Sequence, residues 1–218
     1  MKYFLFILVQ FLLLNNSLAQ DKLPRPIVAI NDASLIQFMD RLEDAVNTRD
    51  KDFIIGILSP NIVNSFGGNN GIEEFKTYWN WSSKSSSFWR IMQRLIEMGG
   101  GTYKQNGQYT LPYVFPYWND TYDSYSYAAI TGTYVNVRDQ PSLNQSQVLG
   151  QLNYDIVKVD YERSHPSMEN PEWYYVEQPN EGLKGYVFWK YVWSPIGYRA
   201  IFEKINGEWK MTIFLAGD

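Results

Sequence analysis

Gly132-Thr133-Tyr134-Val135-Asn136-Val137-Arg138-Asp139-Gln140-Pro141-Ser142 is the stretch that decides the fold. The alternation at Val135 and Val137 has the two-residue period of a strand, which sends both valines to one face. Pro141 then fixes the backbone for a turn. Working outward, short β-rich runs recur between turn residues: Ala128 to Val137, Val148 to Leu152, Asp155 to Val159, Trp173 to Glu177 and Gly185 to Phe188. Several short strands at this spacing are the pattern of a small barrel.

The same stretch resembles the opening of bacterial SH3 domains, whose consensus runs Val-Asn-Val-Arg, one or two small or polar residues, then Pro-Ser. Val148-Leu149-Gly150-Gln151-Leu152 and Asp155-Ile156-Val157-Lys158-Val159 match the strands that follow in that family. Trp173-Tyr174-Tyr175-Val176 stands where the family has Trp-x-x-Val, and Gly185-Tyr186-Val187 where it has Gly-Trp-Val. The resemblance implies an SH3-like barrel over 127–193 that binds cell-wall peptides or glycans, or serves as a spacer beside wall hydrolases. Two departures stand out. The family's glycine near Asn153-Tyr154 is absent, and the segment from Tyr161 to Pro171 is longer than the usual turn.

Upstream, Leu35, Phe38, Met39, Leu42, Ala45 and Val46 form one helical stripe that Asn31, Asp32 or Ser34 can cap. A second helix fits Asp50 to Leu58, stopped by Ser59-Pro60, and a third fits Glu73 to Trp79. Phe88, Ile91, Met92, Leu95 and Ile96 give a fourth, capped from Ser85 to Ser87 and ended by Gly99-Gly100-Gly101. Downstream of the barrel runs, Tyr198 to Lys204 and Glu208 to Leu215 alternate around Asn206-Gly207, a strong hairpin signal. A lone hairpin is marginal in water and must pack on something. The expected fold is therefore α+β in two domains: 32–126 plus 195–218 as a mostly helical α+β domain completed by the hairpin, with the barrel inserted. The helices, Gly-rich loop and terminal hairpin are similar to nuclear-transport-factor-like cone folds; a small α+β domain of another kind fits them equally.

At the N-terminus, Lys2 precedes an apolar run from Tyr3 to Leu14, broken at Gln10, and Ser17-Leu18-Ala19 has small residues where a signal peptidase reads. Residues 1–19 read as a signal peptide cleaved after Ala19, and 20–31 as a Pro-containing leader. The mature chain is expected to be exported, periplasmic or extracellular, soluble and not membrane-spanning. With Cys at 0 there is no lipidation site, disulfide or thiolate chemistry. A net charge of −4 argues against nucleic acid as a partner.

No motif for catalysis emerges. His165 is the only histidine, no Gly-x-Ser-x-Gly elbow presents a serine, and neither a metal site nor a cofactor is expected. A carbohydrate hydrolase would need paired carboxylates, for which Glu97 with Glu73 or Glu74 are the candidates. Aromatic residues make up 17% of the chain, more than a core requires, so some rings should face solvent or a ligand. The candidate binding residues are Tyr154, His165, Trp173, Tyr175, Trp189, Tyr191 and Trp193. Strand alternation would place Trp189, Tyr191 and Trp193 on one face, as a stacking platform, a peptide groove or a seam between domains. The expected function is non-catalytic binding of cell-wall peptide or glycan, or of an envelope protein, with a structural spacer as the other reading.

Overall fold

The computed structural model describes residues 21–27, 31–103, 107–168 and 171–217; the signal-peptide reading of 1–19 and part of the leader lie outside them. The described residues form a mixed α+β chain with four helices and two sheets. None of these helices is long and apolar enough to cross a membrane. Contacts divide the chain into two compact units. One is Asn119–Pro195 with the described residues of the segment ending at Pro24, and the other is Arg25–Trp118 with Ile196–Asp218.

In the helix-bearing unit, α1 (Ala33–Thr48) begins at Asp32, whose carboxylate accepts the Ser34 and Leu35 N–H groups at 2.8 and 3.2 Å. Its stripe of Leu35, Phe38, Leu42, Ala45 and Val46 is buried. Asp50 caps α2 (Lys51–Ile57) through the Phe53 N–H. The next residues, read from sequence as a helix stop, run on as strand β1 (Leu58–Val63), parallel to the last strand. Pro60 is tolerated because β1 lies at the sheet edge. Helix α3 (Gly71–Tyr78) starts two residues earlier than expected. Its Glu74 carboxylate accepts N–H groups from Asn69 and Asn70 at 2.8 Å and from the Asn64 amide at 3.1 Å. Helix α4 (Phe88–Met98) lacks the expected serine cap: Ser87 makes no capping bond, and Ser86 Oγ donates to Trp79 O instead.

Two short strands escaped the periodicity, β2 (Gly101–Tyr103) and β3 (Gln108–Leu111). With β1 and the terminal hairpin, β11 (Arg199–Ile205) and β12 (Glu208–Leu215), they make a sheet in the order β1-β12-β11-β3-β2. The hairpin turn uses Asn206 at φ 53° and Gly207 at φ 84°, as the Asn-Gly pair demands.

The other unit is a seven-stranded sheet in the order β10-β4-β7-β8-β9-β5-β6. The run from Ala128 to Val137 is two strands, β4 (Tyr127–Ile130) and β5 (Val135–Arg138), because Tyr134 turns at φ 54° between them. There follow β6 (Val148–Leu152), β7 (Ile156–His165), β8 (Trp173–Glu177), β9 (Lys184–Phe188) and β10 (Val192–Trp193). The inward residues of all seven strands meet in one cluster made almost wholly of Val, Ile, Leu and Ala. Only Asn153–Asp155 join β6 to β7, which stand four places apart in the strand order, a span too wide for so short a link across a flat sheet, so this one curls over its own face. Gly185 allows the closest approach, since a Cβ there would lie 2.4 Å from the Arg138 carbonyl oxygen.

Two segments grouped with other regions by sequence belong to this unit. Asn119–Ser126 joins through the Val159 N–H to Ser126 O and through Tyr122 against Tyr127. Asp21–Leu23 runs beside the start of β7: Ile156 N donates to Asp21 O and Leu23 N to Tyr154 O, both at 2.7 Å. Lys22 Nζ pairs at 2.8 Å with the buried Asp155 carboxylate, which also accepts the Gln178 amide.

Candidate functional site

Strands β8 and β9 carry the most ligand-like surface. Val176, Val187 and Tyr174 point inward to the core, so alternation sends Trp173, Tyr175 and Glu177 outward on β8 and Lys184, Tyr186 and Phe188 outward on β9. The register pairs them in sequence: Trp173 with Phe188, Tyr175 with Tyr186, Glu177 with Lys184. The first two pairs are edge-to-face, with centroids 5.3 and 5.1 Å apart, and the third is an exposed ion pair at 3.4 Å. The result is an aromatic ladder that ends in charge.

A row also crosses the strands. Asp160 on β7 pairs with Tyr175, Tyr175 with Tyr186, and Tyr186 with Arg138 on β5. The Arg163 guanidinium lies 3.4 Å from the centroid of the Tyr175 ring, a stacked cation–π contact. Beside these rings opens a cleft of about 540 Å³, bordered by Lys158, Asp160, Glu162, Arg163, Met168 and Tyr175. Its borders hold charges of both signs around one aromatic face. That combination suits a ligand with a planar or ring surface and polar groups at its edge.

A second aromatic group lies on three turns that hydrogen bonds tie together. Thr131 N donates to Tyr191 O, Tyr154 N to Gly132 O, and Tyr134 N to Asn153 Oδ1. Tyr134 and Tyr154 both hold positive φ, 54° and 56°, and Tyr134 is 75% exposed. Left-handed backbone is costly for a large side chain and is maintained by surrounding bonds.

The seven candidates read from the sequence therefore separate. Tyr154 and Tyr191 belong to the turn group. Tyr175 is central to the ladder; Trp173 is in it but only 6% exposed, and His165, opposite Trp173, is exposed at the end of β7. Trp189 packs on Phe188 at 5.9 Å. Trp193 sits on β10 opposite Ala129. The shared face expected for Trp189, Tyr191 and Trp193 does not form, because Trp189–Tyr191 is a 3₁₀ turn with a period of three rather than two. Sequence reasoning missed Tyr186 and Arg163. The register of β8 on β9 would have exposed Tyr186; nothing local marks Arg163, which reaches Tyr175 from the neighbouring strand.

The carboxylates weighed for hydrolysis have other surroundings. Glu74 organises its loop through the three N–H groups named above, and Glu73 pairs with Lys76 at 2.7 Å on the surface. Glu97 borders a small recess of about 50 Å³ with Glu43, Asn47 and Gln93. No family model, curated protein or solved structure matches the chain.

Proposed function

We propose that this chain is an exported, non-catalytic binding protein of the bacterial envelope, whose SH3-like barrel over about 127–193 holds cell-wall peptide or glycan on the outer face of β8 and β9. The observation that carries this reading is the Tyr175–Tyr186 pair with Arg163 stacked on it, beside an open cleft bordered by both signs of charge. Rings held edge-to-face by cross-strand pairing lose little freedom when a sugar ring or peptide plane lies on them. The curled seven-stranded sheet around one aliphatic core, together with the Val-Asn-Val-Arg motif at its β5 strand, supports the barrel assignment. Export rests on the apolar N-terminal run and the small residues before Ala19.

Co-sedimentation of the mature protein with purified cell-wall sacculi tests the proposal. Retention at low salt, lost when Tyr175 and Tyr186 are both changed to Ala, is the expected result. Protein that stays in the supernatant at low salt removes wall binding. The burial of Trp173 favours a second reading, a structural spacer, for which the double change would leave every measured association untouched.

A further inference from the structure

The helix-bearing unit contains a groove that wall binding does not use. It is about 430 Å³ in volume and lies where α1, α2 and the start of β12 meet. Its apolar surface comes from Phe38, Phe53, Ile57 and Trp209. The Trp209 ring is fixed on three sides. It stacks on Phe38 at 6.2 Å, its indole N–H donates to Ser34 Oγ at 3.1 Å, and Lys204 Nζ lies 5.2 Å from its centroid. Lys204 is itself held by Asp32 at 2.6 Å. A tryptophan so restrained on an otherwise open groove is a preformed wall.

The charge at the groove is unequal. Glu208 is neutralised by Lys210 at 2.9 Å, and Lys210 also donates to the Gly56 carbonyl at 3.0 Å. Arg41 lies against the Phe53 ring, its Cζ 5.1 Å from the centroid, and has no carboxylate partner among the described residues. A guanidinium over a ring face still has N–H groups to offer a planar acid. The floor beside it is bare at Gly56, where a Cβ would meet no atom within 4 Å.

We propose that this groove binds a small amphipathic monoanion, a carboxylate carried on a ring or short apolar chain, with its apolar part on Phe53, Ile57 and Trp209 and its acid on Arg41. Ring-shaped acids fit because the walls are aromatic. A single negative charge fits because Arg41 is, among the described residues, the one cation lining the groove that lacks an acidic partner. Every residue of the groove belongs to the helix-bearing unit, so the groove is a separate place from the site proposed on the all-β unit.

Calorimetric titration with indole-3-acetate and with indole-3-acetamide, which share a ring and differ in charge, tests it on the purified protein. The acetate is expected to bind at least about tenfold tighter than the acetamide, the scale of one charged hydrogen bond. Arg41→Gln, on the exposed face of α1, should erase that preference by weakening the acetate far more than the acetamide. Gly56→Leu, which meets no neighbour at its Cβ, should fill the groove and abolish both while the melting temperature is retained. Equal affinity for the two probes, a preference that survives Arg41→Gln, acetate binding undiminished by Gly56→Leu, or no acetate binding at millimolar concentration would each overturn the proposal.

Discussion

The two units use aromatic residues in opposite ways. In the helix-bearing unit the rings are the core: Phe88 is fully buried and meets Phe75, Trp81, Trp89 and Phe214 within 5.5 Å between centroids. In the all-β unit the core is small and aliphatic, and the rings of Tyr175, Tyr186 and Phe188 stand on its outer face. The difference follows from geometry. A curled sheet leaves a narrow interior that β-branched side chains fill, whereas helices lying against a five-stranded sheet leave space for larger ones. An aromatic-rich composition therefore says nothing of ligand binding until the fold assigns each ring a side.

Replacing rings on either side sharpens this contrast most. Phe88→Ala should cost about 4 kcal/mol of stability in denaturant unfolding, the range for large core aromatics. Tyr175→Ala should cost about 1 kcal/mol or less, since it removes a surface pair and a cation–π contact. Equal costs would break the division into core rings and surface rings. Next in size is Gly185→Ala, whose Cβ would collide with the Arg138 carbonyl; about 3 kcal/mol should be lost, and only in the all-β unit.

Asp155→Ala should cost about 2 kcal/mol, also in that unit. It removes the acceptor of Lys22 and Gln178, though Lys22 is partly exposed, which holds the loss below that of a fully buried pair. At high pH, Tyr122 is held to about 12 by burial and by its hydrogen bond to Asp21. The native state keeps that proton while the unfolded chain releases it near the usual tyrosine value of about 10. Its contribution is thus complete below pH 10 and is lost between pH 10 and 12. Absorbance titration of tyrosinate should show one fewer late-titrating group in Tyr122→Phe. The smallest effect should be a gain: Gly56→Ala, unhindered in α2, should stabilise the helix-bearing unit by about 0.5–1 kcal/mol.

Legibility in the sequence differed by element type. The stripe of α1 and the Asn206-Gly207 hairpin were readable because each signal is local: a repeat on one face, or two residues that accept positive φ. Strand β1 was hidden because Pro60 reads as a stop, and only pairing with β12 makes Leu58–Val63 extended. The candidate site was half readable. Tyr175 was among the residues read from the sequence, but Arg163 depends on which strands are neighbours, and Trp189 and Tyr191 were misplaced because a 3₁₀ turn interrupts the period.

The strap formed by Asp21–Leu23 has a consequence for the order of assembly. Its side chains bond to partners far along the chain: Lys22 to Asp155, 133 positions away, and Asp21 to Asn180, 159 positions away. Contacts of such separation close late, since each needs the intervening chain to be synthesised and collapsed first. The first described residues of this unit are thus among the last to be secured, and Asp21 and Lys22 act as the clasp that fastens the finished sheet.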